Sequence, residues 1–279
     1  FWHPDELMLY WLDISGRQIH RCNVFTGAVQ SWAMPLEPGS MAPARTRGTG
    51  SGLVIALRDG IYRSQTWGGQ LQRLVLAGHD SATTRFNDGK ADPLGRFWAG
   101  TMVMNMGLAS PAGALYRLDK LHGLQKMLEG FITPNGLGFS PDGRTMYLSD
   151  SHPLVQMIWA FDYDTTSGTP SKRRVFVDMK PLPGRPDGAA VDADGCYWIC
   201  GNDAGLIHRF TPAGKLDYSL AVPVKKPAMC AFGGAGLNTL FVTSIRPEGM
   251  DLSDQPLAGG LFAINTTVSG LPEPTAAVW

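Results

Sequence analysis

Asp194-Gly195-Cys196-Tyr197-Trp198-Ile199, with Leu206-Ile207-His208-Arg209-Phe210 a few residues on, is the stretch whose reading decides the fold. A Gly-containing turn leads into a short apolar-aromatic strand, and a second strand-like run follows. The first element recurs as Leu9-Tyr10-Trp11-Leu12, Leu53-Val54-Ile55-Ala56, Arg96-Phe97-Trp98-Ala99, Thr145-Met146-Tyr147-Leu148 and Thr239-Leu240-Phe241-Val242. Taking Trp11, Val54, Trp98, Tyr147, Trp198 and Phe241 as markers, the steps are 43, 44, 49, 51 and 43 residues. The second element recurs as Gln18–Asn23, Gly60–Arg63, Gly113–Leu118, Met157–Asp162 and Gly260–Asn265, alternating apolar and polar as half-buried antiparallel strands do. A propeller blade takes about 40–50 residues, so six markers predict an all-β chain folded as one six-bladed β-propeller over residues 1–279, each blade four-stranded. The aromatic markers are read as blade-packing residues.

Composition narrows the alternatives. The chain has 279 residues, 44% of them hydrophobic and 17% charged, which is too apolar for disorder. Lys+Arg and Asp+Glu number 24 each, so the basic surplus of a nucleic-acid binder is missing. Thirty-four glycines and 20 prolines rule out a bundle of long helices. No apolar run approaches the roughly 18 residues of a membrane span, so no membrane partner is expected. Phe1-Trp2-His3-Pro4-Asp5-Glu6 has neither the basic nor the apolar segment of a signal peptide, and it begins within a strand motif, so a trimmed or incomplete N-terminus is expected. Cys22, Cys196, Cys200 and Cys230 form no C-x-x-C pair and are read as free thiols of a cytoplasmic protein, a monomer or weak homo-oligomer.

A sharper pattern recurs in three blades. Asn87-Asp88-Gly89 precedes Gly95, Asn135-Gly136 precedes Gly143, and Asp187-Gly188 precedes Gly195. In each, the leading Asn or Asp stands eight residues before the turn glycine. Asp59, Asp142 and Asp194 are read as turn formers and nothing more. Asn87, Asn135 and Asp187 precede strand-like stretches instead of joining close strands. Equivalent positions in successive blades lie at one height around an axis, so these three oxygen donors are expected to open the innermost strands and meet at a central metal-binding channel, as a hard cation requires. Counting back by the same offset falls outside the sequence from Trp11, near Pro43 from Val54 and near Cys230 from Phe241; neither of the last two suits a hard cation.

Arg85-Phe86-Asn87-Asp88-Gly89-Lys90-Ala91-Asp92-Pro93-Leu94-Gly95-Arg96-Phe97-Trp98-Ala99-Gly100-Thr101-Met102 resembles the signature of the senescence marker protein/gluconolactonase (regucalcin-like) family. Pro134-Asn135-Gly136-Leu137 with Asp150-Ser151, and Arg185-Pro186-Asp187-Gly188, resemble its next blades. The resemblance implies one divalent cation and hydrolysis of sugar lactones. It assigns Asn135 and Asp187 as metal ligands, Asp187 as general base, and Arg85 and Asn87 as contacts to substrate or to water on the metal. A Glu ligand from a Glu-Gly-Pro motif has no counterpart in this sequence; Phe1-Trp2 resembles what directly follows that motif, so the resemblance places this ligand just upstream, and Glu6 is not equivalent.

Ca²⁺ is the cation expected first, with Zn²⁺, Mn²⁺ or Mg²⁺ as alternatives. Metal ligation is thus expected from Asn135, Asp187 and Asn87, general-base catalysis from Asp187, and substrate contact from Arg85, Asn87 and His152, the last because it follows Asp150-Ser151 near the expected mouth. Arg85 reads as the only strong cation of this motif set. The loops Val103–Pro111 and Ser151–Gln156 are expected to edge the channel. His20 and His208, each beside an Arg, read as surface residues. Ser51 between Gly50 and Gly52 lacks a nucleophile-elbow context, and no H-E-x-x-H or Walker motif competes. The leading expectation is a metal-dependent sugar lactonase; a related esterase or phosphotriesterase and a non-catalytic calcium-binding propeller are the alternatives.

Overall fold

The computed structural model describes residues 1–45 and 52–278; Ser51 lies outside them. The described residues are strands and turns, with one short 3-10 turn at Met106–Leu108. Six antiparallel meanders follow one another along the chain. Blade 1 is β1 (Trp2–His3), β2 (Met8–Asp13), β3 (Gln18–Asn23) and β4 (Ala28–Ala33), and blade 2 is β5 (Pro38–Ala44), β6 (Gly52–Leu57), β7 (Gly60–Ser64) and β8 (Gln72–Leu76). Blade 3 is β9 (Thr84–Ala91), β10 (Phe97–Val103), β11 (Gly113–Asp119) and β12 (Gly123–Phe131). Blade 4 is β13 (Pro134–Phe139), β14 (Thr145–Asp150), β15 (Met157–Asp164) and β16 (Thr169–Asp178). Blade 5 is β17 (Arg185–Val191), β18 (Tyr197–Asn202), β19 (Leu206–Phe210) and β20 (Leu216–Ala221). Blade 6 is β21 (Pro227–Gly233), β22 (Thr239–Ser244) and β23 (Leu261–Asn265), three strands among the described residues where four were expected. The fold is the expected six-bladed β-propeller.

All six markers lie on the second strand of their blade, and the runs that follow them form the third. Second strands such as β6 and β18 are buried along their whole length, whereas the fourth strands β4 and β20 are largely exposed. That gradient explains why the markers read as continuous apolar runs: a strand covered on both faces has no polar side. Trp98 and Trp198 are fully buried, and Tyr147, Val54 and Phe241 are buried; Trp11 is half-buried and stacks on His20 at 5.2 Å.

The chain divides into two compact units. One comprises Phe1–Pro134, the turn Asp164–Thr169 and the C-terminal stretch from Pro272. Its core joins Val54, Ile61, Phe86, Phe97 and Tyr116, with Tyr10, Ile19, Leu53 and Ile55 in a second cluster. Each large apolar side chain taken fully out of water contributes about 1.5–3 kcal/mol. The C-terminal stretch is stitched on by backbone bonds: Ala276 N–H to Pro43 O at 2.7 Å, Arg45 N–H to Ala276 O at 3.0 Å and Ala277 N–H to Gly95 O at 2.8 Å. Arg96 donates to the carbonyls of Thr165 and Thr166, and Arg117 to those of Ser167 and Gly168, which holds the 164–169 turn in this unit.

The other unit comprises Asn135–Tyr163 and Pro170–Leu271. Its core combines Tyr147, Ile158, Tyr197, Ile199 and Phe210 with a cluster around Trp198, Cys200, Cys230, Leu240 and Val242. Asp192 is wholly buried here, accepting from Cys196 N–H at 2.9 Å, Trp198 Nε1 at 2.8 Å and Arg209 Nε at 2.8 Å. His208 departs from the sequence reading. It is 1% exposed, with Nδ1 2.7 Å from Ser219 Oγ and Nε2 2.9 Å from Pro183 O, because β19 is covered on both faces in this unit. His20 is half-buried and bonds Ser31. The four cysteines are free, as expected, and buried.

Candidate functional site

Cross-strand register explains why the repeated Asn and Asp are special. Between β9 and β10 the pairing passes from Ala99–Gly89 to Thr101–Phe86, leaving an extra residue at Asn87-Asp88. Between β17 and β18 it passes from Pro186–Gly201 to Ala189–Ile199, leaving an extra residue at Asp187-Gly188. Such bulges bend the strand and re-aim a side chain. The same slip recurs at Gly39 on β5 and Ala228 on β21. In these four blades the bulge stands three residues before the partner of the marker: Ala42 for Val54, Lys90 for Trp98, Ala190 for Trp198 and Ala231 for Phe241. The counterparts of Asn87 and Asp187 are therefore Gly39 and Ala228, not Pro43 and Cys230. Counting from the markers misplaced them because the markers sit at different depths in their strands and the hairpins differ in length. Neither counterpart carries a donor side chain, in keeping with the expectation that those blades supply none.

Within the unit formed by Asn135–Tyr163 and Pro170–Leu271, a continuous polar network links two of the candidate residues. Asn135, buried on β13, donates from Nδ2 to Ser151 Oγ at 2.5 Å. Gly136 follows with φ +60°, a left-handed conformation that favours glycine, and its carbonyl accepts the Tyr197 hydroxyl at 2.5 Å. Arg185 Nη1 donates to Ser151 O at 3.1 Å, Nη2 to Asn202 Oδ1 at 3.5 Å, and Nε to Asp203 Oδ2 at 2.6 Å. Lys226 pairs with the same Asp203. Burial alone would raise the Asp203 carboxyl, but the hydrogen bonds from Arg185 and Lys226 outweigh it and hold it below the usual carboxylate range. Asn202 completes the chain, donating from Nδ2 to Asp187 Oδ2 at 2.7 Å and to Pro227 O at 3.3 Å.

Two neighbours complete this surrounding. His152 is buried directly after Ser151; its backbone N–H donates to Asp150 Oδ1 at 3.0 Å and its Nδ1 accepts from Leu154 N–H at 3.3 Å. A neutral His152 ring therefore carries its proton on Nε2. Cys200 is wholly buried, and burial pushes its thiol well above the usual range, helped by the Cys230 thiol and the negative charge of Asp187.

In the other unit Arg85 and Asn87 form a direct pair. Arg85 Nη1 donates to Asn87 Oδ1 at 2.9 Å and to Phe86 O at 2.8 Å, while Asn87 Nδ2 donates to Pro134 O at 3.2 Å. Asp88 is buried and accepts from Gly89 N–H at 2.7 Å. Arg85 faces Met102 across the ladder, whereas Arg185 faces Asn202. That difference separates the two arginines: an amide opposite Arg185 relays its contact towards Asp187, while Arg85 bonds the bulge residue itself.

Arg185 thus stands two residues before Asp187 as Arg85 stands two before Asn87. Arg85 is not the only strong cation of the motif set, and the repeated Arg-x-Asn/Asp spacing was the signal for it. Asn202 and Asp203 belong to no motif and emerge only from strand register. Among the described residues no three His, Cys, Asp or Glu side chains gather as a metal cluster. The donors that do share a network, a buried Asn amide and a bulge-borne carboxylate, are hard oxygens. They fit Ca²⁺, Mg²⁺ or Mn²⁺ chemistry and offer no thiolate or imidazole set.

Bulged first strands that carry oxygen donors, repeated in a six-bladed β-propeller, define the class of protein. The chain belongs to the SMP-30/Gluconolactonase/LRE-like family, whose model matches residues 1–246. It is 38% identical over 278 residues to 6-deoxy-6-sulfogluconolactonase of Pseudomonas putida, covering 99% of this chain and 93% of that protein. It is 32% identical over 278 residues to a pentonolactonase of Haloferax volcanii, covering 98% and 91%. Among solved structures, a calcium-binding protein, regucalcin, from Agrobacterium tumefaciens superimposes with a TM-score of 0.90 at 28% identity, covering 99% of this chain and 92% of that one. No helix among the described residues is long and apolar enough to cross a membrane.

Proposed function

We propose that this protein hydrolyses a sugar lactone to its aldonic acid with one divalent cation, Ca²⁺ first among the candidates. The observation that carries the reading is the Asp187 carboxylate, set on a bulge and bonded by Asn202 in the network that also holds Asn135. The relatives named as lactonases support the substrate class. Asn135 and Asp187 would hold the cation. When bound, it supplies Lewis acidity towards the lactone carbonyl oxygen, worth several kcal/mol of transition-state stabilisation.

The chain's own residues supply the rest. Asp187 accepts the proton of the water that attacks the carbonyl carbon, an assistance worth about 10²–10⁴-fold. The ring C–O bond then breaks, and the departing alkoxide takes up the proton held by Asp187 as the carboxylic acid forms. Arg85 suits the lactone oxygens or the incipient carboxylate, because a guanidinium presents a planar fork of donors. Asn87 already accepts from Arg85 through Oδ1, which favours substrate contact over direct ligation. His152 is assigned to a sugar hydroxyl.

Acid release from gluconolactone, arabinonolactone and galactonolactone, followed by pH-stat with and without Ca²⁺, Mn²⁺, Zn²⁺ or Mg²⁺, tests the reading. Metal-dependent release with at least one lactone is expected, and Asp187→Asn is expected to lower kcat/KM by at least about 100-fold. Full activity in Asp187→Asn would remove the mechanism. Tight Ca²⁺ binding with no turnover of any lactone would favour a calcium-binding propeller, the reading that the regucalcin neighbour supports.

A further inference from the structure

We propose that Asn202 is a positioning residue for Asp187. It orients the carboxylate for the cation without touching cation or substrate, an inference that rests on the assignment of Asp187 above. The register puts Asn202 opposite Arg185, two residues along the strand from Asp187. Asn202 is 3% exposed, so its amide has no bulk water to lean on.

Both of its Nδ2 hydrogens point at acceptors, Asp187 Oδ2 at 2.7 Å and Pro227 O at 3.3 Å, and its Oδ1 faces the Arg185 guanidinium at 3.5 Å. Turning the amide over would set oxygen against a carboxylate and a carbonyl, and NH₂ against a cation. All three contacts would become repulsive, so a single orientation is enforced. The guanidinium behind it is fixed in turn by Asp203 and Ser151 O. Asp187 sits on a bulge, where the regular ladder does not hold its backbone; Asn202 restores by a side-chain bond the precision that the bulge removes. Groups that hydrogen-bond a ligating carboxylate typically account for 10–100-fold in metal affinity or activity.

The test measures Ca²⁺ affinity by titration calorimetry on metal-stripped full-length protein, together with kcat and KM on gluconolactone. Asn202→Leu preserves shape and burial but has no donor, Asn202→Ala serves if the leucine variant fails to fold, and Asn202→Gln keeps the amide. Asn202→Leu is expected to weaken Ca²⁺ binding by about 10–100-fold and to lower kcat, with KM within about twofold and the circular dichroism spectrum unchanged. Asn202→Gln is expected to recover part of both losses. Wild-type Ca²⁺ affinity and kcat in folded Asn202→Leu or Asn202→Ala, while Asp187→Ala abolishes binding, would overturn the positioning role and leave the function standing. Wild-type Ca²⁺ affinity in Asp187→Ala would instead overturn the assignment on which the inference rests.

Discussion

Replacing Tyr197 by Phe removes one oxygen from a fully enclosed place. Tyr197 is 0% exposed, and its hydroxyl donates to the Gly136 carbonyl at 2.5 Å. Its ring packs on Tyr147 at a centroid distance of 5.0 Å and on Phe176 at 5.9 Å, contacts that Phe preserves. The loss is therefore confined to the hydrogen bond and to a carbonyl left without its donor in a dry interior, about 1–3 kcal/mol. Unfolding entropy is about 2.1 cal/mol/K per residue, or roughly 0.6 kcal/mol/K for a chain of this length, so the thermal midpoint should fall by about 2–5 °C. Differential scanning calorimetry at pH 7.5 reads the shift. Tyr218→Phe is the control: its ring, 36% exposed, meets Trp198 edge-on at 5.6 Å, and its midpoint should stay within about 1 °C of wild type. A Tyr197→Phe midpoint within about 0.5 °C of wild type would refute the reasoning, since the Gly136 carbonyl would then not depend on Tyr197.

Burial lowers the His208 pKa below the usual imidazole value of about 6.5, only partly opposed by the hydrogen bond to the Pro183 carbonyl. The unfolded chain therefore takes up its proton first as pH falls, so the contribution of neutral His208 is fully present above about pH 7.5 and is lost as pH drops below 6.5. Thermal midpoints measured from pH 8 to 5 should decline below 6.5, and His208→Gln should show a shallower decline; an identical profile would exclude His208 as a source. Arg209 bonds Asp192, Asp217 and Asp194, and Arg209→Met strands the fully buried Asp192 carboxylate. Equilibrium urea unfolding should show a loss of about 3–5 kcal/mol, and a loss below about 1 kcal/mol would mean that Asp192 is held by Trp198 and the Cys196 backbone alone.

Much of this molecule was legible from local pattern. The marker runs identified second strands, and the eight-residue offset to a turn glycine picked out Asn87 and Asp187, which the structure sets on first-strand bulges. The failures share one cause. His208 read as a surface residue because it stands beside Arg209, yet Pro183, 25 residues away in sequence, bonds its ring. Counting along the chain placed the bulge counterparts at Pro43 and Cys230 because hairpin length and strand depth vary, while cross-strand pairing places them at Gly39 and Ala228. Arg185 was visible in the sequence by its spacing, but its partners were not.

The sequence by itself determined the number of blades, the strand order within each, and the residue types offered on the first strands. Those properties follow from two-residue alternation, turn chemistry and a period in the forties, all of which act between residues close along the chain. Only the tertiary structure decided that Ser151, Arg185 and Asn202 stand between Asn135 and Asp187. A side chain's hydrogen-bond partner is set by register and by remote strands brought alongside it, and no local spacing encodes that.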